Sequence, residues 1–449
     1  MSADPRSIRA ARVFYVHALD VSSLVSGAAG ELGLLQDLRA RHALHQQLHA
    51  RWSEHAEFCD SRQDIEERSD RAIAQGGKRV WTSVFLDDHT PTNLPCGDHL
   101  WTDGVRIPRQ TSLRAIRQDL APWVFEDSRS QLSRDGVIIN TAGFELSGTV
   151  PIESVIQQLS HLRRAAYENF KHETRALLAR QTPFARAFED LEVNLRGEIN
   201  REDVRAHQVL FVREVTDADA VRVEPRKLGH SKELAGLLNR ATWYERYNTR
   251  YLNELAKKEI GYRNDEIYLT DRDATLIVLD GFWRDGDPLR HYMGDLLLAI
   301  EFHLGKQAFL HGQLEYSKAL YSVSGDGSDG GSVSSVLRSR AILSSVYESL
   351  NFSVLISHGF TRRFVNGVSS ESELATALED VERRITNLSI AVELRAAVEA
   401  SRQELGLQSA SNGLQKASIN LQRASNRLAL MALIVAALAI VLSVLTMTT

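Results

Sequence analysis

The sequence predicts a helix-rich α+β cytosolic region, followed by a long helical, coiled-coil stalk and a single C-terminal transmembrane helix. Three observations predict this architecture: short apolar segments that alternate with longer segments of helical periodicity, a seven-residue leucine recurrence after position 406, and an uncharged run after Arg427. Hydrophobic residues make up 43% of the 449 residues and charged residues 25%, which is typical of a chain that buries a core.

Residues 1–205 are predicted to form a first α+β region. Apolar runs bounded by polar residues predict three strands there: Arg12–Asp20, Val80–Leu86 and Val137–Asn140. Two helices are predicted to follow, the first starting at Pro151 with Glu153 in its first turn and continuing to about Arg180, the second covering Phe184–Val204.

Residues 206–321 are predicted to form a second α+β region, and residues 322–335 a linker. The region contains a strand at Gln208–Val215, a helix at Lys232–Glu259, a strand hairpin at Glu266–Asp271 and Thr275–Asp280, and a long helix from Pro288 to Tyr321. The linker consists almost entirely of Gly, Ser and Asp, which favour a flexible connection.

Residues 336–427 are predicted to form a helical stalk that joins copies of the chain. Leucines recur every seven residues and alanines follow three positions after each, which is the pattern of a coiled-coil seam. The seam consists of Leu407, Ala410, Leu414, Ala417, Leu421, Ala424 and Leu428. We expect a homo-oligomer, and the alternative is a helix that packs against its own chain.

Residues 428–447 are predicted to cross a membrane as the only transmembrane helix. This segment contains no charge, amide or proline, and at 1.5 Å per residue it spans a hydrocarbon core of roughly 30 Å. Arg423 and Arg427 precede it, so the positive-inside bias keeps the N-terminal bulk in the cytoplasm. We therefore expect a single-pass, tail-anchored protein that has the lipid bilayer as a partner.

The approach to the membrane, with Ser425-Asn426-Arg427 just before a helix that continues the stalk, resembles the stalk of CorA-type magnesium channels. The sequence departs from that family in having one hydrophobic membrane segment instead of two, and in lacking the Gly-Met-Asn motif. The resemblance implies an ion-conducting oligomer as one alternative function.

Two groups of side chains are candidate metal ligands. The first lies in a polar loop and consists of Asp87, Asp88, His89, Cys96, Asp98 and His99. The second is a column at four-residue spacing on one helix face, in which Gln307 accompanies His303, His311 and Glu315. A solvated loop and an ordinary amphipathic helix explain the same residues without a metal.

The composition also restricts function. The net charge of −5 argues against general nucleic-acid binding, and the two cysteines, Cys59 and Cys96, suit a reducing compartment. No sequence motif assigns a catalytic residue or a cofactor. We expect a membrane-tethered sensing or binding module, oligomerised through its stalk, that could act as a membrane effector. The alternatives are a membrane-anchored metal- or nucleotide-dependent enzyme and the ion-conducting oligomer.

Overall fold

The computed structural model describes residues 6–25, 105–107, 120–132, 136–179, 183–190, 195–196, 198–228, 231–261, 266–279, 296–297, 300–301, 303–312, 367 and 374–447. The chain divides into two units, one of residues 1–330 with 341–384 and the other of residues 331–340 with 385–449. The described part of the first unit is a mixed β-sheet with helices. The described part of the second belongs to one long helix.

The sheet is built from eight described strands around β1. The strands are β1 (Ser7–Asp20), β2 (Val105–Ile107), β3 (Trp123–Leu132), β4 (Val137–Leu146), β5 (Val150–Pro151), β6 (Arg205–Thr216), β7 (Glu266–Asp271) and β8 (Ala274–Leu279). Their order is β2-β3-β4-β1-β6-β8-β7, with β5 paired to the start of β1. β6 and β8 are parallel and the other pairs are antiparallel, so the sheet is mixed. The α+β prediction is confirmed at this level.

Two helices predicted in the described part of the first unit are shorter or divided in the structure. Those of the first unit are α1 (Ile152–Leu177), α2 (Pro183–Asp190), α3 (Pro225–Leu228), α4 (Lys232–Asn239) and α5 (Thr249–Lys257). The predicted helix Lys232–Glu259 is divided, because Arg240 adopts the left-handed conformation at the end of α4 and Asn248 caps the start of α5. The predicted helix Phe184–Val204 is likewise wrong in its C-terminal part: of the residues described after Asp190, Leu195 forms an isolated β-bridge with Val25 and Arg201–Asp203 form a short 3-10 turn.

α1 packs along one face of the sheet through its apolar stripe. Leu159, Leu162 and Phe170 are fully buried or nearly so, and the Tyr15 hydroxyl donates a 2.7 Å hydrogen bond to the Leu159 carbonyl. Burying a leucine or phenylalanine side chain contributes about 1.5–3 kcal/mol, so this stripe fixes the helix on the sheet. The opposite side of α1 is left for polar residues.

A half-buried carboxylate, that of Glu173, fastens the C-terminal half of α1 to strands β3 and β4. Glu173 accepts hydrogen bonds from the Ser128 hydroxyl at 3.0 Å and the Asn140 and Asn169 amides at 2.7 and 3.3 Å, and also from the Ser130 hydroxyl. Polar groups buried in this way stabilise a fold only when their partners are present.

The helical segment 303–312 lies against the other face of the sheet. Asn140 and His17 are paired across β4 and β1 and face α1. The next pair, Thr141 and Val16, faces the other side of the sheet. The Thr141 hydroxyl donates a 2.7 Å hydrogen bond to Glu301, just before that segment. The sheet is therefore covered on both faces.

The C-terminal helix α6 (Leu374–Met447) has 74 residues. Its part from Ala400 to Val441 is long and apolar enough to cross a membrane, and none of that apolar window is buried within the protein. Near its end the Ser443 hydroxyl donates to the Ala439 carbonyl at 2.9 Å, which satisfies the hydroxyl within the helix itself.

Candidate anion-binding site

A cleft of about 1030 Å³ opens beside α1 at one end of the sheet. It lies where β1 ends, where β6 begins and where the turn between β7 and β8 returns the chain. Among the residues that the structure describes, seven cationic side chains line it: Arg163, Arg164, Lys171, Arg175, Arg201, Arg205 and Arg272. Three anionic side chains, Glu168, Glu198 and Asp273, belong to the same described lining, so its positive charges exceed its negative charges by four.

The outer side of α1 supplies most of this charge. Residues three, four and seven positions apart lie on one side of a helix, so Arg164, Lys171 and Arg175 face the cleft together while the apolar stripe packs on the sheet. Arg164 and Arg175 are exposed, and neither has a hydrogen-bond or ion-pair partner among the described residues. Within the described part of the chain, both charges are therefore unpaired.

Tyr167 holds two of the cations in place. The Lys171 ammonium lies 5.2 Å from the centre of the Tyr167 ring and the Arg201 guanidinium 5.8 Å from it. Lys171 also pairs with Glu168 at 2.8 Å. Such cation–π contacts are worth about 0.5–1 kcal/mol at exposed sites, enough to bias side-chain orientation.

Asp273 organises the deeper cations. Its carboxylate accepts a 2.7 Å hydrogen bond from Arg240 and lies 3.3 Å from the guanidinium of Arg163. Burial alone would raise the pKa of Asp273, but the charge and hydrogen bond of Arg240, together with Arg163, lower it overall. Burial and the charge of Arg240 in turn lower the pKa of Arg163. Asp273 therefore stays ionised and keeps both arginines at this end of the sheet.

His17 lies at the floor of the cleft as a neutral side chain. It is 1% exposed, and its ring stacks on Phe170 with centroids 5.3 Å apart. Burial, assisted by the charge of Arg163, lowers its pKa to about 3. Its Nδ1 atom is buried without a hydrogen-bond partner among the described residues. The floor thus contributes polarity without charge.

The neutral part of the lining also includes Ile199, Val204 and Ala206. Ile199 and Val204 pack partly against the small core cluster around Leu19 and Phe170. Ala206 pairs with His17 across β1 and β6, so the two share one face of the sheet. Along the chain these neutral residues are interleaved with the charged lining residues Glu198, Arg201 and Arg205.

The predicted metal column is only partly described. His303 is buried, which lowers its pKa to about 4, and its Nε2 atom lies 3.3 Å from the Gln307 amide nitrogen. His311 approaches Asp203 at 3.6 Å, and Gln307 lines the cleft. Glu315 lies outside the described residues.

The predicted loop ligands Asp87, Asp88, His89, Cys96, Asp98 and His99 also lie outside the described residues. Within the described part of the chain, no group of three or more His, Cys, Asp or Glu side chains is placed to hold a metal ion. Metal binding by either group stays a prediction.

The comparisons with known proteins give no identification. No family model matches this chain, and neither the curated proteins nor the solved structures show a significant similarity to it. The chemistry of the cleft therefore carries the functional argument.

Sequence patterns do not predict the basic cleft, because its charged side chains come from several elements that are distant in sequence. A usable signal was present on α1, where Arg164, Lys171 and Arg175 surround Tyr167 at helical spacing. The contributions of Arg201 and Arg272 depend on how β6 and the β7–β8 hairpin meet the helix, which periodicity does not reveal.

Proposed function

We propose that this chain is a membrane-tethered module that binds a small, multiply charged anion in the basic cleft. The excess of positive charge in the cleft carries the proposal, because the chain as a whole has a net charge of −5. Cations gathered in one concave site against the overall charge of the protein favour an anionic ligand.

The available arginines set the expected strength of binding. A hydrogen bond to a charged group contributes about 1.5–3 kcal/mol, and guanidinium groups suit the oxygens of phosphate and carboxylate. Arg164 and Arg175 would therefore account for a large part of the affinity, since they have no partner in the described part of the chain to lose on binding.

A titration with inorganic tripolyphosphate tests the proposal on the full chain in detergent. The variant with Arg164→Gln and Arg175→Gln should bind at least about tenfold more weakly, because two charged partners are removed. The control carries Arg186→Gln and Arg246→Gln, two exposed arginines outside the cleft lining, and should bind like the wild type. Equal weakening in both variants, or no binding by the wild type, would overturn the proposal.

The second part of the proposal is that α6 anchors the module and joins copies of it. Arg423 and Arg427 just before the apolar segment favour a cytoplasmic N-terminal bulk. Leu407, Leu414 and Leu421 are each more than 70% exposed, and burying a leucine between helices stabilises by about 1.5–3 kcal/mol. A second copy of α6 would bury this stripe.

Asparagine substitution of the stripe tests assembly. Changing Leu407, Leu414 and Leu421 together to Asn should reduce the mass of the detergent-solubilised oligomer, because unpaired amides would enter the seam. The control changes the neighbouring Gln408, Gln415 and Gln422 to Glu and should keep the wild-type mass. A monomeric wild type, or a seam variant of unchanged mass, would show that the stripe does not join copies.

A further inference from the structure

Two cations of the cleft that have no partner among the described residues lie far apart. Arg164 and Arg175 are on the same side of α1, and at about 1.5 Å per residue their backbones are about 16 Å apart. Lys171 lies between them, and its ammonium already pairs with Glu168 at 2.8 Å. A ligand that neutralises both arginines must therefore extend along the helix.

Glu198 gives the cleft lining an anionic group that needs a donor. Its side chain is exposed, and no hydrogen bond or ion pair joins it to another residue of the described part of the chain. A phosphate chain has no N–H donor, so its charges would only repel this carboxylate. A ligand that suits the whole described lining therefore combines anionic groups with N–H donors.

The aromatic rings of the described lining are already in contact with other groups. The Tyr167 ring lies against the Lys171 ammonium and the Arg201 guanidinium, and the His17 ring stacks on Phe170. Proteins hold single-stranded nucleic acid largely by stacking its bases on aromatic side chains. The described lining therefore favours an extended anion that has no bases.

We infer that the cleft binds an acidic peptide segment in extended form, with carboxylates at its two ends paired to Arg164 and Arg175. At about 3.3 Å per residue, the first and last Cα atoms of six extended residues are about 16 Å apart, which matches the separation of the two arginines. The backbone N–H groups of the segment supply the donors that Glu198 lacks. This inference rests on the proposed anion-binding function and adds the class of ligand to it.

Hexaglutamate with blocked ends, titrated into the full chain in detergent, tests the class of ligand. It should bind the wild type. The variant Arg175→Gln should bind it at least about tenfold more weakly, because one end of the segment loses its charged partner. The control Arg186→Gln removes an exposed arginine outside the described lining and should bind hexaglutamate like the wild type.

Two hexapeptides of the same composition test the extended form. Both have blocked ends; Glu-Ser-Ser-Ser-Ser-Glu carries its carboxylates at the ends, and Ser-Ser-Glu-Glu-Ser-Ser carries them side by side. In competition with labelled hexaglutamate on the wild type, the first should displace the label at an at least about fivefold lower concentration, because it engages both arginines at once. On Arg175→Gln the two should compete equally, because one of the two unpaired arginines is gone.

The variant Glu198→Gln distinguishes a peptide from a phosphate chain. Removal of the carboxylate charge relieves its repulsion of tripolyphosphate, so this anion should bind more tightly than it does to the wild type. Hexaglutamate should gain less, because its N–H groups exchange a charged acceptor for a neutral one. The ratio of hexaglutamate affinity to tripolyphosphate affinity should therefore fall.

The outcomes separate the two proposals. Binding of tripolyphosphate without binding of hexaglutamate would overturn the peptide inference and leave anion binding intact. Equal competition by the two hexapeptides on the wild type, or an equal effect of Glu198→Gln on both anions, would also overturn it. Tighter binding of a uridine hexanucleotide than of hexaglutamate would assign the cleft to a nucleic-acid strand instead. Failure of both tripolyphosphate and hexaglutamate to bind would overturn the proposed function itself.

Discussion

Lowering the pH from 7 to 5 should remove much of the stability of the sheet-containing unit, because three of its histidines are buried in the neutral form. Burial lowers the pKa of His17 to about 3 and that of His303 to about 4; for His207, burial and the charge of His303 lower the pKa to about 3. In the unfolded chain each would have a pKa of about 6.5.

The direction of the effect follows from proton binding. Between pH 6.5 and the folded pKa values, the unfolded chain binds protons that the folded chain does not, so the free energy of unfolding falls as the pH falls. At pH 5 each histidine lowers it by about 2 kcal/mol, and the three together by about 6 kcal/mol. This is comparable to the total of about 5–15 kcal/mol for a typical domain.

The lowered pKa of Asp273 affects the free energy of unfolding in a different pH range. Its carboxylate stabilises the folded chain above its unfolded value of 3.8, and this contribution is lost only as the pH falls below that value. The loss between pH 7 and pH 5 therefore reports on the histidines.

Denaturant unfolding of the full chain in detergent, followed by tryptophan fluorescence at several pH values, measures this dependence. His17→Gln should reduce the loss between pH 7 and pH 5 by about 2 kcal/mol, because one titrating group is removed. The control is His161→Gln, an exposed histidine on α1, which should leave the loss unchanged. If His17→Gln unfolds with the pH dependence of the wild type, His17 is not buried as a neutral group and the floor of the cleft is wrongly described.

Three further predictions concern the core and the anchor. Glu173→Ala should lower the free energy of unfolding, measured by denaturant titration, by about 2–4 kcal/mol, because four buried donors lose their acceptor. Little change in the titration would mean that water replaces the carboxylate as their acceptor. Gly236→Ala should cost about 1–3 kcal/mol in the same assay, since a Cβ there would lie 2.8 Å from side-chain atoms of Ile156 and Tyr244, and a neutral result would mean that α4 can shift. The full chain should resist alkaline extraction from membranes and become soluble when truncated after Gln422, and a full-length chain found only in the soluble fraction would contradict the membrane assignment.

The strands with apolar buried faces could be predicted from the sequence. β1, β6 and the β7–β8 hairpin show clear apolar runs, and the structure places strands at the predicted positions. β3 was missed because Ser128 and Ser130 occupy its buried face, where they donate to Glu173 instead of packing as apolar side chains. Periodicity cannot recognise a strand whose buried face is polar and satisfied by a distant helix.

The candidate site could be predicted only in part, for a related reason. The arginines of α1 are visible as one helix face, but Asp273 and Arg240 meet across 33 residues of sequence, and His17 comes from the first strand. Their convergence depends on the strand order β1-β6-β8, which joins distant segments at one end of the sheet. No local pattern contains that information.

The central claim is that the cleft binds an anion through its fixed positive charges, and the salt dependence of tripolyphosphate binding tests it most directly. The affinity of the wild-type chain for tripolyphosphate should fall steeply between about 0.05 and about 0.5 M sodium chloride, because salt screens the attraction between the anion and the exposed cations of the cleft. The variant lacking the charges of Arg164 and Arg175 should bind more weakly at low salt and show a shallower fall. Binding that is insensitive to salt, or a variant whose salt dependence equals that of the wild type, would contradict the claim.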